Sequence, residues 1–169
     1  MNSPIAIVNN GNLDFYDNDA STYTVNTRAE AMNLLDQILN DNPDLEGDLL
    51  PPIVKALQAK IKAADGIIIS TPEYVFSLPG NLKNFLEWHV STTLFSGKPV
   101  ALIVAAASGK KAMESLDLVM STITVGAIPD DLKLLLQGIG GKIDQEGLIS
   151  DEVLKTKITQ LISAFQQIL

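Results

Sequence analysis

The 169-residue chain contains no cysteine, and it has only one histidine and one arginine. Without cysteine it forms no disulfide, no thiolate nucleophile and no cysteine metal site. A single histidine also excludes a metal site built from several imidazoles. The shortage of arginine accompanies a formal net charge of −8, which is unsuited to binding nucleic acid or an anionic membrane surface. We therefore expect neither of these partners.

Long apolar runs are missing as well. The longest spans residues 99–107, which is too short to cross a bilayer. The first four residues, Met1 to Pro4, lack the basic segment and the apolar run of a signal peptide. The absence of cysteine fits a reducing compartment. We therefore expect a cytoplasmic protein, and the chain length and apolar composition favour a single domain over residues 1–169.

Short apolar runs alternate with amphipathic helical patterns along the chain. The strand candidates are residues 5–8, 66–70, 100–106 and 133–137. The helical patterns follow Thr27, Pro51, Pro79, Gly109 and Ser150, the last of which we expect to cap its helix. This alternation predicts an α/β fold in which a mostly parallel sheet is covered by helices on both faces.

The most informative segment is Ser70–Trp88, which reads Ser-Thr-Pro-Glu-Tyr-Val-Phe-Ser-Leu-Pro-Gly-Asn-Leu-Lys-Asn-Phe-Leu-Glu-Trp. Pro72 ends the preceding strand, and apolar residues recur at helical spacing from Leu82 onward. An irregular loop is therefore expected at the carboxyl end of a strand. Open α/β sheets bind flat ligands at this edge.

This segment resembles the signature Thr-Pro-Glu-Tyr-Asn-x-Ser-x-Pro-Gly-x-Leu-Lys-Asn-x-x-Asp-Trp of the NAD(P)H-dependent FMN reductases, a family that includes quinone and chromate reductases. Further matches, collinear with the family pattern, lie at residues 63–69, 95–100 and 144–152. The resemblance implies a flavodoxin-like three-layer fold and an enzyme that passes a hydride from NAD(P)H through bound FMN. The implied electron acceptor is a quinone, an oxidised flavin or a metal oxyanion. It also implies a homodimer or larger homo-oligomer.

The same resemblance assigns residues to the cofactor site. The residues implied to bind FMN are Thr71, Pro72, Glu73, Tyr74, Ser77, Ser108 and Gly109. Pro72, Glu73 and Tyr74 are implied to line the isoalloxazine ring largely through backbone atoms. Because the flavin carries the redox chemistry, we expect no catalytic side chain and no metal ion.

Several nearby residues depart from the family pattern. Val75 and Phe76 replace the usual Asn and the frequent Gly, and the Phe76 ring is expected either to cover the flavin or to fill its slot. Lys110 and Lys111 either attract a nicotinamide phosphate or form a solvated helix start. His89, the only histidine, is expected at a helix end.

The amino-terminal third lacks the family's Gly-Ser-x-Arg-x-x-Ser-x-Asn phosphate loop, and two alignments remain open. In one, Asn12–Asp19 matches the segment after strand two, so that strand one and the phosphate loop are missing. In the other, residues 5–8 form strand one, the pattern after Thr27 forms helix one, and strand two is lost. The second alignment places the following residues near a helix start, as phosphate ligands or as ordinary cap residues: Ser21, Thr22, Thr24 and Thr27.

Either alignment leaves the sheet one strand short or remodelled. The departure keeps open an alternative function, a non-catalytic binding or assembly module that has lost its phosphate loop. The intact Thr71–Tyr74 segment favours the enzyme over this module.

Overall fold

The computed structural model of the protein describes residues 5–9, 12–16, 22–23, 50–144, 146 and 148–169. The helix expected after Thr27 and the candidate phosphate ligands Ser21, Thr24 and Thr27 lie outside these residues. The described strands are β1 (Ile5–Asn9), β2 (Asn12–Tyr16), β3 (Thr22–Tyr23), β4 (Gly66–Thr71), β5 (Val100–Ala106) and β6 (Lys133–Gln137). The described helices are α1 (Pro52–Ala63), α2 (Gly80–Glu87), α3 (Lys110–Ile123) and α4 (Glu152–Gln167).

The six described strands form one sheet in the order β3-β2-β1-β4-β5-β6. Strands β1, β4, β5 and β6 pair in parallel, which confirms the expected α/β sheet. Their order is that of strands one, three, four and five in the flavodoxin-like arrangement 2-1-3-4-5. The structure therefore agrees with the second alignment in placing residues 5–8 in strand one. That alignment was wrong to place Thr22 near a helix start, because Thr22 lies in β3 and pairs with Tyr16 of β2.

The position of strand two is remodelled rather than empty. β2 occupies it, but β2 runs antiparallel to β1, with Asn9 opposite Asn12. Only two residues join these strands, Asn10 and Gly11, and Asn-Gly is the dipeptide most typical of a tight hairpin. A parallel neighbour would require a crossover of a dozen or more residues. The short connection therefore accounts for the reversed direction of β2.

The core is built around β4, whose residues Ile67, Ile68 and Ile69 are all buried. A strand buried on both faces reads as a continuous apolar run, as this one does. At the beginning of β4, a Cβ added to Gly66 would lie 2.6 Å from side-chain atoms of Phe165 and Leu169. A larger residue at this position would therefore have to displace the ends of the Phe165 and Leu169 side chains.

One detail of the helices differs from the sequence prediction, the cap of α4. α4 is capped by Asp151, whose Oδ1 accepts a hydrogen bond from the Leu154 N–H at 2.8 Å. Ser150 was the wrong cap, because its hydroxyl donates instead to the carbonyl of Lys142 at 3.1 Å. No helix among the described segments combines the length and apolarity needed to cross a membrane.

His89 follows α2, at the expected helix end, but it is completely buried. Its ring packs against Phe85 and Phe95, at centroid distances of 4.7 and 5.6 Å. Its Nδ1–H donates to the carbonyl of Phe85 at 2.6 Å, while Nε2 has no hydrogen-bond partner among the described residues. Burial lowers the pKa of the imidazole, and the hydrogen bond to Phe85 opposes that shift.

We expect this histidine to make stability depend on pH. Since folding lowers the pKa, the unfolded chain binds the proton more readily, so stability is complete above about pH 6.5 and is lost as the pH falls below it. The slope is at most about 1.4 kcal/mol per pH unit. Urea denaturation between about pH 7.5 and 5.5, above the main range of carboxylate titration, measures it. His89→Phe keeps an aromatic ring and should flatten the dependence; an unchanged slope would contradict this account.

Candidate functional site

The candidate residues lie at the carboxyl ends of two adjacent parallel strands. Thr71 ends β4 and pairs with Val104 near the end of β5. The segment Pro72–Ser77 follows β4, and Ser108 and Gly109 follow β5. All seven residues implied to bind FMN therefore belong to two neighbouring segments at one edge of the sheet, although each is placed there for a different local reason.

Thr71 and Pro72 close the end of β4. The side chain of Thr71 is buried, and its hydroxyl donates to the carbonyl of Pro72 at 3.1 Å. The Thr71 hydroxyl proton is therefore donated to a neighbouring residue of the same loop. The structure therefore gives Thr71 a local role in shaping the loop.

Tyr74 and Ser77 form a tight hairpin, which we call the Tyr74–Ser77 hairpin. The N–H of each residue donates to the carbonyl of the other, both at 2.9 Å. The two residues between them, Val75 and Phe76, have φ angles of 49° and 58°. Positive φ at both central positions is typical of a type I′ turn, which strongly favours Asn-Gly. Val75 is β-branched and therefore strained in this conformation.

The tip of this hairpin is apolar and exposed. Tyr74, Val75 and Phe76 expose 55%, 93% and 75% of their surface. The Phe76 ring therefore does not fill a slot among the described residues. It remains positioned to contact a molecule from outside.

Glu73 joins the hairpin to α3. Its Oε2 accepts a hydrogen bond from the backbone N–H of Ala112 at 3.2 Å, across 39 residues of sequence. This side-chain contact was missed by sequence reasoning, which gave Glu73 a backbone role. One feature of the sequence could have indicated this contact, the start of α3. Its residues Gly109-Lys110-Lys111 include no capping side chain and no acidic residue. A helix that begins in this way requires an acceptor from elsewhere.

Gly109 is buried at the start of α3 with φ of 77°. An added Cβ would lie 2.6 Å from Leu135 Cδ1 and 3.1 Å from Val104 Cγ1. Its neighbour Ser108 is exposed, and the Ser108 carbonyl accepts from the Gln137 side chain at 2.9 Å. These contacts hold the loop after β5 close to β6.

The two lysines at the start of α3 are both exposed. Lys111 forms an ion pair with Glu114 at 2.6 Å, and the hydrogen bond to that carboxylate raises the pKa of Lys111. This geometry favours a solvated helix start for Lys111. A cavity of about 240 Å³ lies between β6 and α4, but none of its lining residues belongs to the hairpin or to the Ser108–Gly109 loop.

The described residues fit the flat ring of FMN. Exposed aromatic and apolar side chains stand at the carboxyl edge of the sheet, where such rings bind, and a buried glycine with left-handed backbone lies in the adjacent loop. Ser21, Thr24 and Thr27, which the second alignment makes either phosphate ligands or ordinary cap residues, are outside the described residues. The fit therefore concerns the ring end of the cofactor.

The comparisons with known proteins agree on one family. The sequence profile described as NADPH-dependent FMN reductase matches residues 15–133. An NADPH azoreductase from Bacillus sp. (strain OY1-2) is 33% identical over 150 residues, which cover 78% of this chain and 83% of that protein. An NADPH:quinone oxidoreductase from Arabidopsis thaliana is 32% identical over 130 residues, covering 74% of this chain and 66% of that protein.

The fold is also similar to that of a solved structure. The apo form of an NADH:FMN oxidoreductase (EMOB) superposes with a TM-score of 0.59 at 19% identity, covering all of this chain and 90% of the other. At that identity the likeness concerns the fold, and it confirms the flavodoxin-like architecture.

We expect that replacing Val75 by Asn and Phe76 by Gly together will stabilise the protein. Both new residues adopt positive φ readily, so the free energy of unfolding should rise by about 1–2 kcal/mol. Urea denaturation measures the change. The matched control is the pair Val75→Ala and Phe76→Ala, which removes the same exposed apolar groups but leaves residues that disfavour positive φ. An equal gain in the alanine pair would show that backbone strain is not the cause.

Proposed function

Since the chain belongs to the NADPH-dependent FMN reductase family, we propose that it passes a hydride from NAD(P)H through FMN to a quinone, an oxidised flavin or a metal oxyanion. Membership makes the chain a flavin-dependent oxidoreductase with FMN and NAD(P)H as its cofactors. The acceptor is the new part of this proposal. This choice of acceptor is supported by the names of two relatives, an NADPH azoreductase and an NADPH:quinone oxidoreductase.

We place the isoalloxazine ring of FMN between the Tyr74–Ser77 hairpin and the Ser108–Gly109 loop. The proposed binding residues are Thr71, Pro72, Glu73, Tyr74, Ser77, Ser108 and Gly109. The observation that carries this placement is the apolar hairpin tip, exposed beside a second loop at the carboxyl edge of the sheet. An aromatic surface at this edge is suited to a flat ring with one open face.

FMN, when bound, supplies the hydride chemistry. The residues of the chain bind and orient the ring, and the apolar side chains at the hairpin tip reduce the access of water to it. Gly109 allows the backbone after β5 to lie close to β6, which keeps the second loop low against the sheet. No side chain is required to give or take a proton, so we assign no catalytic residue.

The test is an FMN titration of the purified protein, followed by quenching of flavin fluorescence. We expect saturable binding, bleaching of the flavin by NADH or NADPH, and reoxidation by a soluble quinone, riboflavin or chromate assayed separately. The fastest acceptor identifies the substrate class. Absence of FMN binding by the folded protein would favour the alternative, a non-catalytic module.

Tyr74→Ala tests the placement of the ring. Loss of the exposed aromatic side chain should raise the Kd for FMN about tenfold, a change of about 1.4 kcal/mol. The matched control is Leu118→Ala on α3, which removes another side chain that is 71% exposed and should leave the Kd unchanged. Equal affinities for both variants would show that the Tyr74 side chain does not contact the ring.

We also propose that residues 1–169 form a single domain that acts in the cytoplasm as a homodimer or larger homo-oligomer. The family resemblance supports the association of copies. Light scattering should then give a multiple of the 18.2 kDa chain mass. A mass of one chain that persists as the protein concentration rises would contradict the oligomer.

A further inference from the structure

We infer that Glu73 is a positioning residue, whose carboxylate fixes the Tyr74–Ser77 hairpin relative to the first turn of α3. It thereby sets the spacing between the two loops that are proposed to hold the flavin ring. The hydrogen bond from the Ala112 N–H to the Glu73 carboxylate is observed in the structure. Its consequence for FMN rests on the proposed function.

The first turn of α3 lacks its own acceptors. A helix begins with four backbone N–H groups that have no partner within the helix. Gly109, the N-cap, has no side chain, and the next two residues are Lys110 and Lys111. Positive charges there oppose the helix dipole, whereas a carboxylate favours it. Glu73 supplies both an acceptor for the Ala112 N–H and the missing negative charge.

The hairpin is held at its carboxyl end by Leu78, which follows Ser77 and is buried in the core, and at its amino end by Glu73. Its central residues are strained and its tip is exposed. Its paired hydrogen bonds between Tyr74 and Ser77 are internal, so they fix its shape but not its position. Strained segments persist only where surrounding contacts determine them. The side chain immediately before the hairpin provides such a contact, directed towards the second loop.

A ligand slot formed by two loops depends on their separation. Binding geometries are typically maintained within about 0.5 Å, and supporting residues outside the contact layer maintain them. Glu73 connects the beginning of the loop after β4 to the first turn of α3, which directly follows Gly109 in the second loop. Removing its carboxylate should therefore loosen both walls of the slot together.

The experiment compares Glu73→Ala with Asp151→Ala. Asp151 caps α4 in the same chemical way, through a carboxylate oxygen 2.8 Å from the Leu154 N–H, and it belongs to neither loop. Both variants should lower Tm by about 2–4 °C, as loss of a helix cap does in a chain of this size. Only Glu73→Ala should weaken FMN binding, with a rise in Kd of about tenfold.

Two further variants separate positioning from general stability. Glu73→Gln keeps an oxygen acceptor and should recover most of the FMN affinity. Glu73→Asp keeps the charge but shortens the side chain by one methylene, so it should bind FMN more weakly than Glu73→Gln. If Glu73→Ala does not fold, this pair carries the comparison.

A second readout uses the protein without FMN. Hydrogen exchange of the Ala112 amide, followed by NMR, should accelerate in Glu73→Ala and remain unchanged in Asp151→Ala. Equal FMN affinities for the two alanine variants would overturn the positioning role, as would unchanged exchange at Ala112. Failure of the proposed function gives a different pattern: the wild type would bind no FMN, which removes the flavin role of Glu73, while the amide of Ala112 would still respond.

Discussion

Strand β4 is hydrogen-bonded in parallel to β1 on one side and to β5 on the other. Because a central parallel strand is covered on both faces, it is largely apolar, as Ile67–Ile69 of β4 are. β4 ends at Thr71, which pairs with Val104 of β5, and Pro72 prevents the strand from continuing. The location of the hairpin, and of any ligand it contacts, follows from this pairing.

The segment that follows β4 contains strained and exposed residues, which reduce stability, and a side chain that holds the segment in place. Val75 and Phe76 adopt a backbone conformation that suits Asn-Gly, and they expose apolar side chains to solvent. Neither property benefits the isolated chain. Strain and exposure at one edge of a sheet are typical of functional segments, and here the Glu73 carboxylate ties that segment to the adjacent helix.

Much of the fold could be predicted from the sequence, because its signals are local. The run Ile67–Ile69 and the helical spacing of Leu82, Phe85 and Leu86 depend only on neighbouring residues, and both were correct. The direction of β2 could not be predicted from its five residues, since it follows from a two-residue connection. The contact of Glu73 with Ala112 joins distant parts of the chain, so the sequence indicated only that α3 lacks a cap. Thr71 to Tyr74 could be located by resemblance, whereas the exposure of Phe76 required the structure.

The order of the strands also has a consequence for how the chain folds. β1 and β2 are joined by two residues, so their hairpin forms at little cost in loop entropy. Its other partner, β4, lies far along the chain, and a pairing at that separation must close a long loop before it gains any contacts. β4, β5 and β6 are closer to one another in sequence. We therefore expect this carboxyl-terminal half of the sheet to assemble first and to serve as the template on which the preformed β1–β2 hairpin docks.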